Sequence, residues 1–119
     1  MKQIILRTKF EGFHCWPDAP ERVSFLRNKH RHLFGVKVKI EVLHNEREKE
    51  FFIVQEDDIQ YIIKNKILGE NNEASSCETM AEIMLNNLQN KYKSCRISVE
   101  INEDDENGAE INNYDNFLS

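Results

Sequence analysis

The most constraining feature of this chain is a ten-residue alternation. Phe34, Val36, Val38, Ile40 and Val42 occupy one parity, while Leu33, Gly35, Lys37, Lys39 and Glu41 occupy the other. Successive side chains on a strand point to opposite faces, so this pattern makes a strand with one buried and one wet face. Such a strand is stable only as part of an antiparallel sheet covered on its apolar side by a second layer. The rest of the chain must supply both. Gln3 to Phe13 alternate more loosely (Ile4, Leu6, Thr8, Phe10) and suit a strand, which the loop around Pro17, Asp18 and Pro20 ends. His44-Asn45-Glu46-Arg47 reads as a turn, with Glu50-Phe51-Phe52-Ile53-Val54 returning as a hairpin partner. Arg96 to Asn102 alternates again, with Ile97, Val99 and Ile101 inward.

The covering layer comes from two helical patterns. One begins at Asp57 or Asp58, sets Ile59, Ile62, Ile63 and Leu68 on a stripe, and ends at Gly69. The second opens on Ser75-x-x-Glu78, a capping box in which hydroxyl and carboxylate satisfy exposed N–H groups, and repeats Met80, Ile83, Met84 and Leu88 behind it. The expected class is α+β: a four-stranded antiparallel sheet with two helices on one face. A single domain spans 1–119, and 103–119 forms an acidic C-terminal segment. That segment is polar apart from Tyr114, Phe117 and Leu118, and is expected to be loosely held or to dock on a neighbouring subunit.

Composition excludes several classes of function. Sixteen Lys+Arg against 21 Asp+Glu leave a net charge of -5, the wrong sign for tracking phosphates, so no nucleic acid is expected as a partner. No apolar run approaches the roughly 20 residues that span a bilayer, so no membrane partner is expected either. Met1 to Arg7 is too short an apolar stretch for a signal peptide. Three spaced cysteines (Cys15, Cys77, Cys95) with no CxxC argue against a disulfide framework and for a reducing cytoplasm. At 39% apolar residues the core is thin, a deficit that chains often meet by oligomerising.

Three of the four histidines are placed for metal. His30 and His32 lie two apart where the patterned strand begins, so both rings project from one face while Arg31 points away. His14 ends the first strand and could supply a third imidazole. Three neutral imidazoles make an open zinc site. The plain alternative is a set of strand-end histidines without an ion. Cys15, one residue past His14, should face the other way as a small buried residue. Cys77 lies in a helix's first turn, where the positive dipole end would lower a thiol pKa, although burial as an inert thiol is the favoured reading. Glu103, at the end of the last strand, is a carboxylate that could accept a pair of N–H groups from a guanidine-like edge.

Taken in order, Phe10-x-x-x-His14, His30-x-His32-x-Phe34-x-Val36-x-Val38, Ser75-Ser76-Cys77-Glu78-Thr79-Met80-Ala81 and Val99-x-Ile101-x-Glu103 resemble the 6-pyruvoyl-tetrahydropterin synthase and 6-carboxytetrahydropterin synthase family. The resemblance implies zinc held by His14, His30 and His32, and a pterin- or purine-like small molecule bound by Glu103, Ser76 and Cys77. It implies the tunnelling fold (T-fold), assembled as an oligomeric barrel, a trimer or hexamer, with ligand sites between subunits.

The departures fall on the reactive groups. Four residues before His30, where the family carries a catalytic cysteine, stands Leu26. The family's Asp-His pair has no counterpart, because Ile59 to Glu73 offers Lys64, Lys66 and Glu70 but no histidine. The Gly of His-Gly-His is Arg31. Two functions follow from the resemblance. One is a lyase-type step on a dihydroneopterin triphosphate-like substrate, in pterin or queuosine-type deazapurine metabolism, with Cys15, Cys77 and Asp57 as the candidate proton carriers. The other is a catalytically degenerate module that binds such a ligand or serves as an oligomeric scaffold.

Overall fold

The computed structural model describes residues 1–117. Four strands, β1 (Lys2–His14), β2 (His30–Val42), β3 (Ile97–Glu103) and β4 (Gly108–Asn112), form one antiparallel sheet in the order β1-β2-β3-β4. β1 and β2 pair rung for rung from Lys2 opposite Val42 to His14 opposite His30. The alternation of β2 does what its pattern requires. Phe34, Val36, Val38 and Ile40 are buried beside Leu6 and Phe10 of β1 and Ile97, Val99 and Ile101 of β3. The opposite face is polar, and across its middle Arg7, Lys37, Glu100 and Glu110 stand abreast in register.

Two helices cover the apolar face. The first runs over residues 51–67 as α-helical turns at Phe51–Val54 and Gln60–Ile62 interleaved with π turns at Gln55–Ile59 and Ile63–Ile67. It contributes Val54, Ile59, Ile62, Ile63 and Ile67 to the core. The second, Cys77–Lys91, contributes Met80, Ala81, Met84, Leu85 and Leu88. Each such aliphatic side chain contributes about 1.5–3 kcal/mol when fully buried, so the helical layer supplies much of the folding free energy.

Four expectations are corrected. Glu50–Val54 is not a strand: Glu50 caps the first helix by accepting from the Ile53 N–H at 2.9 Å, and Phe51–Val54 is its opening turn. The fourth strand is Gly108–Asn112, so residues 103–117 are largely built into the fold, with a 3₁₀ turn at Tyr114–Phe117; Leu118 lies outside the described residues. The cap of the second helix is Ser76, not Ser75, and its hydroxyl accepts from the Thr79 N–H at 3.2 Å. The first helix starts at Phe51 rather than at Asp57 or Asp58. Among the described residues, no helix is long and apolar enough to cross a membrane.

Candidate metal centre

The pairing of β1 with β2 builds the site. His14 is the last residue of β1 and His30 the first of β2, and they occupy the same terminal rung. His32 is two residues along β2, opposite Gly12. A Cβ at Gly12 would lie 3.0 Å from the Phe34 ring and 3.1 Å from the Ala74 Cβ, so glycine there lets the Phe34 ring come up under the histidines. That ring meets His14 and His32 edge-on at 5.4 and 5.6 Å. The three imidazole centroids are 4.5, 5.0 and 5.1 Å apart, all in edge-to-face arrangements.

Each ring is held by one nitrogen. Nδ1 of His30 lies 2.8 Å from the Asn28 carbonyl, Nδ1 of His14 3.2 Å from the Ser75 carbonyl, and Nδ1 of His32 2.6 Å from Asp104 Oδ2. All three partners accept, so Nδ1 is the donor in each ring, and in the neutral ring Nε2 is the nitrogen that keeps a lone pair. Nε2 of His30 is buried with no hydrogen-bond partner. Glu103, at the end of β3, brings Oε2 to 2.7 Å from His32 Nε2 and 3.5 Å from His14 Nε2. One ligand atom from each of His14, His30, His32 and Glu103 lies within 4.8 Å of the others. With neutral rings, three lone pairs and a carboxylate face one another as acceptors. A cation among them is what would satisfy all four. His32 stands between two carboxylates, with Nδ1 2.6 Å from Asp104 and Nε2 2.7 Å from Glu103, a geometry served by a cation beside Nε2 or by a second ring proton. The donor set therefore fits a borderline ion such as zinc.

A cavity of about 490 Å³ adjoins the cluster. His14, His30 and Glu103 face it, together with Cys15, Trp16 and Leu26 of the following loop and the start of the second helix, Ser75–Glu78. The helix start is tied to the end of β1 by the Ala74 N–H, which donates to the Phe13 carbonyl at 2.7 Å. The candidate ligand-binding residues Ser76, Cys77 and Glu103 thus border one space with two of the histidines. The Ser76 hydroxyl is already engaged in capping and in donating to Thr79 Oγ1 at 3.0 Å.

The candidate proton carriers part company. Asp57 is exposed on the first helix and does not border the cavity. Cys15 is exposed and borders it, contrary to the expected burial. Cys77 is buried, and desolvation, reinforced by the charges of Glu103 and Glu78, pushes its thiol up to about 11. The favoured reading of Cys77 as a buried, inert thiol agrees with this, burial outweighing the dipole. Asp104 was hidden in the acidic run Glu103-Asp104-Asp105-Glu106. Its carboxyl is held below the usual range, first by the hydrogen bond from His32 and then by the Leu33 N–H. Nothing in the spacing alone marks it.

No protein-family profile matches the chain, and no curated protein matches it. Among solved structures it is similar to a crystal structure of the 6-pyruvoyl tetrahydropterin synthase of Plasmodium vivax, with a TM-score of 0.60 and 14% identity over 95% of this chain and 99% of that one. At that identity the likeness establishes a shared fold.

Proposed function

We propose that this protein binds zinc through Nε2 of His14, His30 and His32 and receives a pterin- or purine-like heterocycle in the adjoining cavity, with Glu103 accepting from the heterocycle's N–H edge. The observation that carries the reading is the convergence of three ring nitrogens, one of them buried and unpartnered, with a carboxylate on a common point. When bound, zinc would act as a Lewis acid toward ligand oxygens. The protein's own groups orient the rings through Asn28, Ser75 and Asp104 and wall one side of the cavity with Leu26 and Trp16. An assembly of trimers or hexamers, which the resemblance implies, belongs to this reading. β1 and β4 are the edges of the sheet, and an edge strand is a template for pairing with another copy.

Two versions differ in what happens to the ligand. The first is a lyase-type step on a dihydroneopterin triphosphate-like substrate, with Cys15 the remaining candidate to carry a proton. The second is binding without turnover, and specific observations favour it: Leu26 borders the cavity with a side chain that cannot exchange protons, and the Cys77 thiol is held protonated. Metal analysis of protein purified without added zinc tests the common core. About one zinc per subunit, lost on changing His30 and His32 to Ala, is expected; less than about one zinc per three subunits overturns it. Calorimetry with pterins and guanine derivatives, run beside a turnover assay, separates the versions. Binding without product is expected of the second.

A further inference from the structure

The three imidazoles are not held alike. His14 and His30 donate to neutral backbone carbonyls, at 3.2 and 2.8 Å, whereas His32 donates to the carboxylate of Asp104 at 2.6 Å. Asp104 is fixed to an unusual degree for a residue on an exposed turn. Its backbone has φ 56° and that of Asp105 φ 61°, two consecutive left-handed residues without glycine, a conformation that aspartate tolerates better than most but still at a cost. Its N–H donates to the Leu33 carbonyl at 2.8 Å, and its Oδ1 accepts from the Leu33 N–H at 2.9 Å. The carboxylate therefore bridges the backbone of β2 and the ring of His32, one residue away along the same strand. Next to it Asp105 pairs with Lys9 of β1 at 2.8 Å, which ties the turn across two strands.

The structure assigns to Asp104, we infer, the role of positioning residue for the metal centre: it fixes the tautomer and orientation of His32 and, by its charge, makes that ring the strongest donor of the three. This rests on the metal reading of the site given above. An anionic partner on the outer nitrogen raises the basicity of a ligating imidazole more than a carbonyl does, and loss of such partners commonly weakens metal binding by about 10–100-fold. The left-handed backbone is the conformation that lets one carboxylate reach both the Leu33 N–H and the His32 ring.

The test is zinc affinity by competition with a chromophoric chelator, together with the visible spectrum of the cobalt(II)-loaded full chain. The proteins are wild type, Asp104→Ala, Asp104→Asn and, as a control on the same turn, Lys9→Ala. Asp104→Ala should bind zinc about 10–100-fold more weakly. Asp104→Asn, which keeps an acceptor but loses the charge, should fall between it and wild type and shift the cobalt bands. Lys9→Ala should stay within about threefold of wild type, because its partner Asp105 touches no imidazole. If Asp104→Ala lacks a cooperative thermal transition, the Asn variant decides. Tight binding by wild type with an unchanged affinity and spectrum in Asp104→Asn and Asp104→Ala overturns the assignment and leaves the proposed function standing. Failure of wild type to bind zinc or cobalt overturns both.

Discussion

Two clusters of ionisable side chains are built into this fold, and they are opposite in design. Between the helices, the carboxylate of Asp58, only 6% exposed, meets Lys91 Nζ at 2.6 Å and the Tyr92 hydroxyl. Charge is balanced, each oxygen has a donor, and the Lys49 and Lys91 ammonium groups lie 5.6 Å from the centre of the Tyr92 ring. At the end of the β1–β2 ladder, His14, His30, His32 and Glu103 bring four potential ligand atoms within 4.8 Å of one another and leave Nε2 of His30 buried without a partner. A satisfied network joins elements; an unsatisfied, convergent one calls for something from outside. Counting ionisable residues would not separate them. Asking where each proton goes does.

The contrast can be broken most decisively at the histidines. Changing His30 and His32 to Ala should abolish zinc binding measured by chelator competition, and with it the rise in unfolding temperature that zinc gives wild type. At a free zinc concentration about a thousand times Kd, that stabilisation is about 4 kcal/mol. Next in size, Asp58→Ala should lower the denaturant-derived stability by about 1–3 kcal/mol, because the Tyr92 hydroxyl and Lys91 lose their acceptor. It should leave zinc affinity unchanged. By contrast His30→Ala in the metal-free protein should cost less than Asp58→Ala, since it gives up one hydrogen bond to a backbone carbonyl and a ring nitrogen that had no partner. If the two costs are reversed, the division into satisfied and unsatisfied clusters fails.

Smaller effects sharpen the comparison. At pH 8 a thiol with a pKa near 11 is thiolate in about one part per thousand, so Cys77 should alkylate far more slowly than exposed Cys15. Mass-spectrometric mapping of iodoacetamide adducts reads this directly, and equal rates would contradict the burial of Cys77. Tyr92 is also pushed above its ordinary value, by burial first and then by its bond to Asp58. A raised folded pKa means stability that is intact below the unfolded tyrosine value and is lost as pH climbs past it. Unfolding monitored from about pH 9 to pH 11 should therefore show a decline. Asp58→Ala should make that decline shallower.

How much could be read in advance varies with burial. β2 was legible because its apolar parity is buried from Phe34 to Ile40, and β3 because Ile97, Val99 and Ile101 are buried. Glu50–Val54 misleads because Phe, Phe, Ile and Val favour strands locally. Yet Phe51, Phe52 and Ile53 are 54%, 78% and 58% exposed, so tertiary packing of Val54 and the residues after it decides for helix. β4 escapes notice because only Ala109 and Ile111 of its five residues carry an apolar signal. At the centre, the three histidines and Glu103 could be proposed from spacing. The acceptors behind them could not. Two are backbone carbonyls, which no sequence labels, and the third, Asp104, is one acid among four neighbours.

The terminal rung that seats His14 against His30 has a consequence for folding. Sliding β1 by a single residue against β2 would turn its whole apolar set to the wrong face, and His14 with it. An ion that needs rings from both strands therefore recognises one alignment of two thirteen-residue strands and ignores its neighbours. Zinc present during refolding would act as a proofreader of strand alignment, drawing misaligned chains toward the native pairing by mass action.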